Sequence, residues 1–200
     1  MSNFFKETDI DTSQAEAIVT ETLKNCDDGE LYLENHKSES IVLDDNKIKS
    51  STYNSDQGYG FRAVTGEVVA YSHSNDISKE SLRKSSENLK DTLKSKKGTY
   101  NHEIPKTNSK YYENINPIES KTFDSKIDLL NSVNNYLRSK GSIVNQVTAN
   151  FLGEHKSIEI IRSDNQVLKD DRPLVRFNVS VVLEKAVSYT HLTLPTKQDV

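Results

Sequence analysis

The sequence predicts an α+β protein: a mostly antiparallel sheet flanked by helices in a first domain, then a partial second α/β unit and an irregular C-terminal tail. Three observations carry this. Apolar residues recur at helical spacing within 13–25, 78–93 and 121–140; apolar and polar residues alternate in the stretches between; and turn residues separate the alternating runs closely enough to join them as hairpins. Composition agrees, since 34% hydrophobic and 28% charged residues in a chain of 200 without Trp suit one or two modest cores surrounded by water.

At the N-terminal end, Ser13 with Glu16 makes a capping box. Ala15, Ile18, Val19, Thr22 and Leu23 then share one stripe of a helix expected to end near Asn25. Asp27-Asp28-Gly29 breaks the pattern, after which Leu31 and Leu33 alternate with polar neighbours as in a half-buried strand over about 30–35. The runs 40–43 and 47–53 flank the turn cluster Asp44-Asp45-Asn46 and predict a hairpin. A second hairpin is predicted from 59–64 and 68–72, with Gly66 supplying the positive φ of a tight turn. Four or five antiparallel strands thus follow the first helix.

From Ser78 a polar helix carries Leu82, Leu89 and Leu93 on a thin stripe, which should cover one sheet face. Lys96-Lys97-Gly98, Pro105, Pro117 and many Asn and Ser residues predict an irregular connection over 96–122, and so a boundary between a first domain (1–95) and a truncated central domain (123–184). Phe123, Ile127, Leu130, Val133, Tyr136 and Leu137 keep helical spacing, and Gly141 stands where a C-terminal cap belongs. Strands are expected over 143–151, 157–161 and 174–183, the middle one closed by the turn Ser163-Asp164-Asn165. In the last of them Val175, Phe177, Val179, Val181 and Leu183 share one face, and Arg176, Asn178 and Ser180 the other.

Function classes narrow next. A net charge of −4 with interspersed signs offers no basic footprint for nucleic acid. Cys26 stands alone and cannot make an internal disulfide, which fits a reducing cytoplasm. The N-terminal residues have no signal-peptide hydrophobic run, and no run reaches membrane-spanning length.

His36, His73, His102, His155 and His191 are scattered, with no pair one helical turn apart, so they read as surface residues rather than metal ligands. His102-Glu103 begins like a zinc-peptidase motif, but Pro105 interrupts any helix and no histidine follows at the required offset. Gly58-Tyr59-Gly60 is followed by a strand rather than by a helix N-terminus, so it reads as a glycine-kinked strand and not a nucleotide loop. Arg62 beside it reads as half of an ion pair. There is no nucleophile elbow around any serine, and Asp170-Asp171-Arg172-Pro173 reads as a turn at a strand entrance rather than as paired catalytic acids. By these criteria the chain is a scaffold with edge strands able to pair with a peptide or another subunit.

One resemblance adds to this reading. Gly29-Glu30-Leu31-Tyr32-Leu33-Glu34, Ser38-Glu39-Ser40, Asp44-Asp45-Asn46-Lys47-Ile48-Lys49 and the strand from Asp56 to Val64 resemble the N-terminal part of the TldD branch of the TldD/PmbA metallopeptidase family. Asp171 to Val181 is similar to that family's central region, so the resemblance covers about 10–184. It implies a cytosolic zinc peptidase, once described as a modulator of DNA gyrase, that acts on small or unfolded peptides with a TldE/PmbA-type partner. In the family a His-Glu helix, a later His and a Cys hold the zinc, in a half that lies beyond this chain; no catalytic, cofactor or metal residue carries over, and the fragment is expected to be inactive. No membrane or nucleic-acid partner is implied. Near Lys185 the family pattern gives way to a tail over 185–200 that resembles a translated sequencing-adaptor run. A genuine tail with a short strand over Tyr189 to Leu194, closed by Pro195, is the alternative. The competing reading of the whole chain is a complete, non-enzymatic peptide-binding or dimerisation module.

Overall fold

The computed structural model describes residues 4–6, 8–94, 111–113, 115–163 and 166–184. Its elements run α1 (Thr12–Leu23), β1 (Asp28–Asp44), β2 (Lys47–Thr65), β3 (Val68–Ser74), α2 (Lys79–Leu93), α3 (Phe123–Arg138), β4 (Val144–Arg162) and β5 (Val167–Leu183). The strands form one antiparallel sheet in the order β3-β2-β1-β4-β5, so the α+β expectation holds. Most of the expected linker, His102, Glu103, Pro105, Asp164, Asn165 and the tail with His191 lie outside the described residues.

The strands are longer than their apolar alternation suggested. The separate runs expected at 30–35 and 40–43 are one strand, β1, and those at 47–53 and 59–64 are one strand, β2. Their register runs from Asp28 opposite Val64 to Asp44 opposite Lys47, with one irregularity between Val42 and Leu43. The polar stretch in the middle of β1 stays extended because β2 on one side and β4 on the other engage its backbone, whatever its side chains prefer. β4 likewise joins the expected runs 143–151 and 157–161 across Glu154, His155 and Lys156.

Local chemistry closes the connections. Asp45 and Asn46 take φ of 49° and 67°, the pair of left-handed conformations that a two-residue hairpin loop needs, and Gly66 takes φ 60° in the next loop. The capping box of α1 is made by Asp11 and Gln14 rather than by Ser13 and Glu16: Asp11 Oδ1 accepts from the Gln14 amide at 2.8 Å, and Gln14 Oε1 accepts from the Asp11 amide at 3.4 Å. Ser78 and Thr122 cap α2 and α3 singly, each side-chain hydroxyl oxygen accepting from the amide three residues on, that of Ser81 or Ser125. Asp170-Asp171-Arg172-Pro173 is not a turn but part of β5, which tolerates Pro173 because it is an edge strand with only one ladder to satisfy.

Odd-numbered residues of β1 and β4 face the helices. α1 and α2 cover one half of that face over Leu31, Leu33, Phe61, Ala63, Ala70 and Ile161; α3 covers the other half over Ile41, Leu43, Ala149 and Phe151. Between these two apolar clusters lies a buried polar pair, Lys126 of α3 with Glu39 of β1. α2 also rests on hydroxyls, since Tyr59 Oη lies 2.8 Å from both Ser81 Oγ and Ser85 Oγ. No helix among the described residues packs on the opposite, even-numbered face.

Candidate functional site

The strand from Asp56 to Val64 borders a cleft on that uncovered face. β2 runs through Gly58 and Gly60 in continuous register with β1, so the glycines do not kink it. They admit close neighbours instead. A Cβ on Gly60 would stand 2.5 Å from Tyr71 Oη, and one on Gly58 would stand 2.8 Å from the Ser74 carbonyl oxygen. The result is a floor of bare backbone. Tyr32, Glu34 and His36 of β1 wall it on one side, Tyr71, Ser74 and Asn75 on the other, with Asp56 and Gln57 also lining a volume of about 320 Å³.

The chemistry around this floor is polar and mostly paired. Tyr32 donates to Glu34, Lys156 Nζ lies 3.1 Å from the same carboxylate, and His36 Nε2 lies 3.7 Å from Glu154. Burial pushes the Glu34 carboxyl up, but the hydrogen bonds from Tyr32 and Lys156 outweigh it and hold the pKa below its ordinary value. Burial, then the bond to Glu34, raises Tyr32 well above a normal phenol. Arg172 adds to the positive side and is bonded to Asp170 at 2.7 Å. Asp56 has no side-chain hydrogen bond or ion pair among the described residues.

Arg62 is an ion-pair residue, as its sequence setting suggested. It reaches Glu30 and Asp28 at 2.7 Å each, and Arg162 joins Asp28 at 2.9 Å; hydrogen bonding to Glu30, opposed by burial and aided by Asp28, raises its pKa further. Cys26 is buried at the end of α1, and burial raises its thiol pKa. Among the described residues no group of three or more His, Cys, Asp and Glu side chains is placed to hold a metal, and His36, His73 and His155 do not converge. No helix of the described residues is long and apolar enough to cross a membrane.

Sequence reasoning found the glycine floor but missed its walls. Tyr32, Glu34, His36 and Tyr71 carry no motif; their one signal is parity, since three of them are the polar partners of the buried Leu31 and Leu33 in a strand whose opposite face is core.

Two family models match this chain: PmbA/TldA metallopeptidase domain 1 over 29–94, and PmbA/TldA metallopeptidase central domain over 116–193. The chain belongs to the TldD/PmbA metallopeptidase family. The central-domain match continues past Lys185, where the family pattern was expected to stop. A metalloprotease TldD homolog of Buchnera aphidicola from Acyrthosiphon pisum is 34% identical over 162 residues, which is 80% of this chain and 34% of that protein. Its counterpart in Haemophilus influenzae is 33% identical over 168 residues, 81% of this chain and 34% of the relative. The chain therefore spans about a third of the length of these TldD/PmbA relatives.

Solved structures agree on the fold. A Bacteroides thetaiotaomicron protein, solved as a candidate modulator of DNA gyrase, superposes with TM-score 0.64 at 14% identity, covering 88% of this chain and 42% of its own. TldE from Thermococcus kodakarensis gives TM-score 0.56 at 11% identity, covering 86% and 43%.

Proposed function

We propose that this chain is the N-terminal portion of a TldD-like zinc metallopeptidase that cleaves peptides or unfolded proteins in the cytoplasm, with its catalytic metal site supplied by residues outside this chain. The observation that carries this is the pair of consecutive family matches combined with coverage of only a third of the TldD homologs. The described side chains do not fit a zinc site, so no step of metal-assisted hydrolysis is assigned to them. Their part is the scaffold and a surface for substrate or for a TldE/PmbA-type partner. The division into a first domain over 1–95 and a central domain over 123–184, joined by a connection, belongs to the same proposal. The test is to purify residues 1–200 and measure bound zinc and peptide hydrolysis; neither is expected, and stoichiometric zinc with turnover refutes the assignment.

A second reading is a non-enzymatic peptide-binding or dimerisation module. It is favoured by the open edge of β2, whose residues 47–58 pair only with β1 among the described strands because β3 reaches no further than Tyr59. The genomic DNA after codon 184 separates the two: continuation into a glycine-rich stretch and a His-Glu helix supports the peptidase, and a reproducible stop after Val200 supports the module.

A further inference from the structure

We propose that the glycine-floored cleft on β2 is a binding site for an arginine side chain of a peptide. This rests on the peptide reading above and names the side-chain class the surface selects.

The cleft's volume of about 320 Å³ lies at the small end of the roughly 300–1,000 Å³ of ordinary ligand sites, the size for one side chain rather than a nucleotide. Its shape suits a flat group. Gly58 and Gly60 present backbone with no Cβ, while Tyr71 from the neighbouring strand closes over Gly60 and Tyr32 stands on the far side. Tyr71 is 64% exposed and stacked on His73, with ring centroids 5.8 Å apart, so one face of an aromatic pair is presented beside the opening. A guanidinium stacks on such faces through both its plane and its charge.

The charge pattern sets the sign of the ligand. The ionisable side chains lining the cleft are the carboxylates Glu34 and Asp56, the phenols Tyr32 and Tyr71, and His36; no Lys or Arg lines it, and Tyr59 turns its phenol to α2 on the other face. Lys156 balances Glu34 from outside, which leaves Asp56 as the unpaired carboxylate. The cations nearest the cleft, Lys156 and Arg172, are paired with Glu34 and Asp170, so a phosphate finds no unpaired cation lining it, whereas a guanidinium finds a carboxylate with two free acceptor oxygens and an aromatic wall. The two-pronged donor geometry of arginine matches that carboxylate better than the single ammonium of lysine.

The experiment is an NMR titration of the isotope-labelled 200-residue chain with N-acetyl-arginine amide, and in parallel with N-acetyl-citrulline amide, which keeps the shape and removes the charge. Arginine amide is expected to shift the amides of Gly58, Gly60 and their neighbours, with citrulline amide binding several-fold more weakly. Asp56→Asn and Tyr71→Ala alter surface side chains, and each is expected to weaken arginine binding by about threefold to fivefold, the scale of one exposed ion-pair or cation–π contact. Equal binding of the two amides, shifts centred elsewhere, or an unchanged affinity in Asp56→Asn overturns the assignment; the amide comparison needs no variant to fold. The readout is independent of hydrolysis, so arginine binding by a chain whose full-length parent cleaves no peptide upholds the cleft and refutes the peptidase reading alone.

Discussion

Removing the charge of Lys126 should be among the most damaging single changes to this fold, and the structure sets the scale. Its side chain is 5% exposed and that of Glu39 10%; its ammonium also donates to the Ile118 carbonyl at 2.7 Å and lies 5.6 Å from the centre of the Phe151 ring. Lys126→Met keeps the stem's volume but leaves the Glu39 carboxylate buried without its partner, at a cost of about 3–5 kcal/mol. The Ile118 carbonyl loses its donor too, which costs about 1–3 kcal/mol more. Against a total stability on the order of 5–15 kcal/mol for a domain, that is a large fraction. The double change Lys126→Met with Glu39→Leu removes both charges, and should recover most of the loss, to within about 1–2 kcal/mol of the parent chain. Urea unfolding followed by far-ultraviolet circular dichroism measures all four corners of the cycle. If Lys126→Met costs under about 1 kcal/mol, the value of an exposed pair, the pair is solvated and the reasoning fails; so it does if the double variant is no better than the single one.

Three more predictions follow from other regions. Gly58→Ala should lower the melting temperature more than Gly60→Ala, because the added methyl meets the fixed Ser74 carbonyl in the first and the movable, exposed Tyr71 ring in the second; equal losses in thermal scans contradict this. Hydrogen bonds from Thr148, then Gln146 and Lys49, hold the Asp44 carboxyl down at about 2, below its unfolded value near 3.8. Its contribution to stability is therefore complete above that unfolded value and is lost as the pH falls toward 2, so an NMR titration showing Asp44 protonating near 4 refutes the assignment. Val175, Phe177, Val179, Val181 and Leu183 lie on one face of an edge strand at 36–61% exposure, so the chain should self-associate and Phe177→Lys should reduce it; a sharp monomer peak in light scattering at high concentration counts against this.

Much of the fold was legible because it rests on local chemistry. The helix stripes of Leu82, Leu89 and Leu93 and of Leu130 and its neighbours, the Asp45-Asn46 loop and the Gly66 loop all depend on residues within one turn of one another. What the sequence misread were continuities: His36 to Glu39 and Asn54 to Gly58 look like breaks, yet they run through β1 and β2 because ladder partners far away in the chain hold them extended. The cap on α1 moved from Ser13 to Asp11 for a smaller reason, since either pair satisfies the pattern and the helix begins where Asp11 reaches the Gln14 amide.

For the candidate site the division is sharper. The sequence by itself determined the family, the glycine pair and the absence of any metal-ligand spacing, because these are matters of residue identity and order. Only the tertiary structure decided that Tyr71 closes over Gly60, that Asp56 is left without a partner while Glu34 shares Lys156, and that Lys126 is buried against Glu39. Each of these joins residues on different elements, from 11 to 122 positions apart, and such meetings are set by strand register and helix packing, which no local pattern encodes.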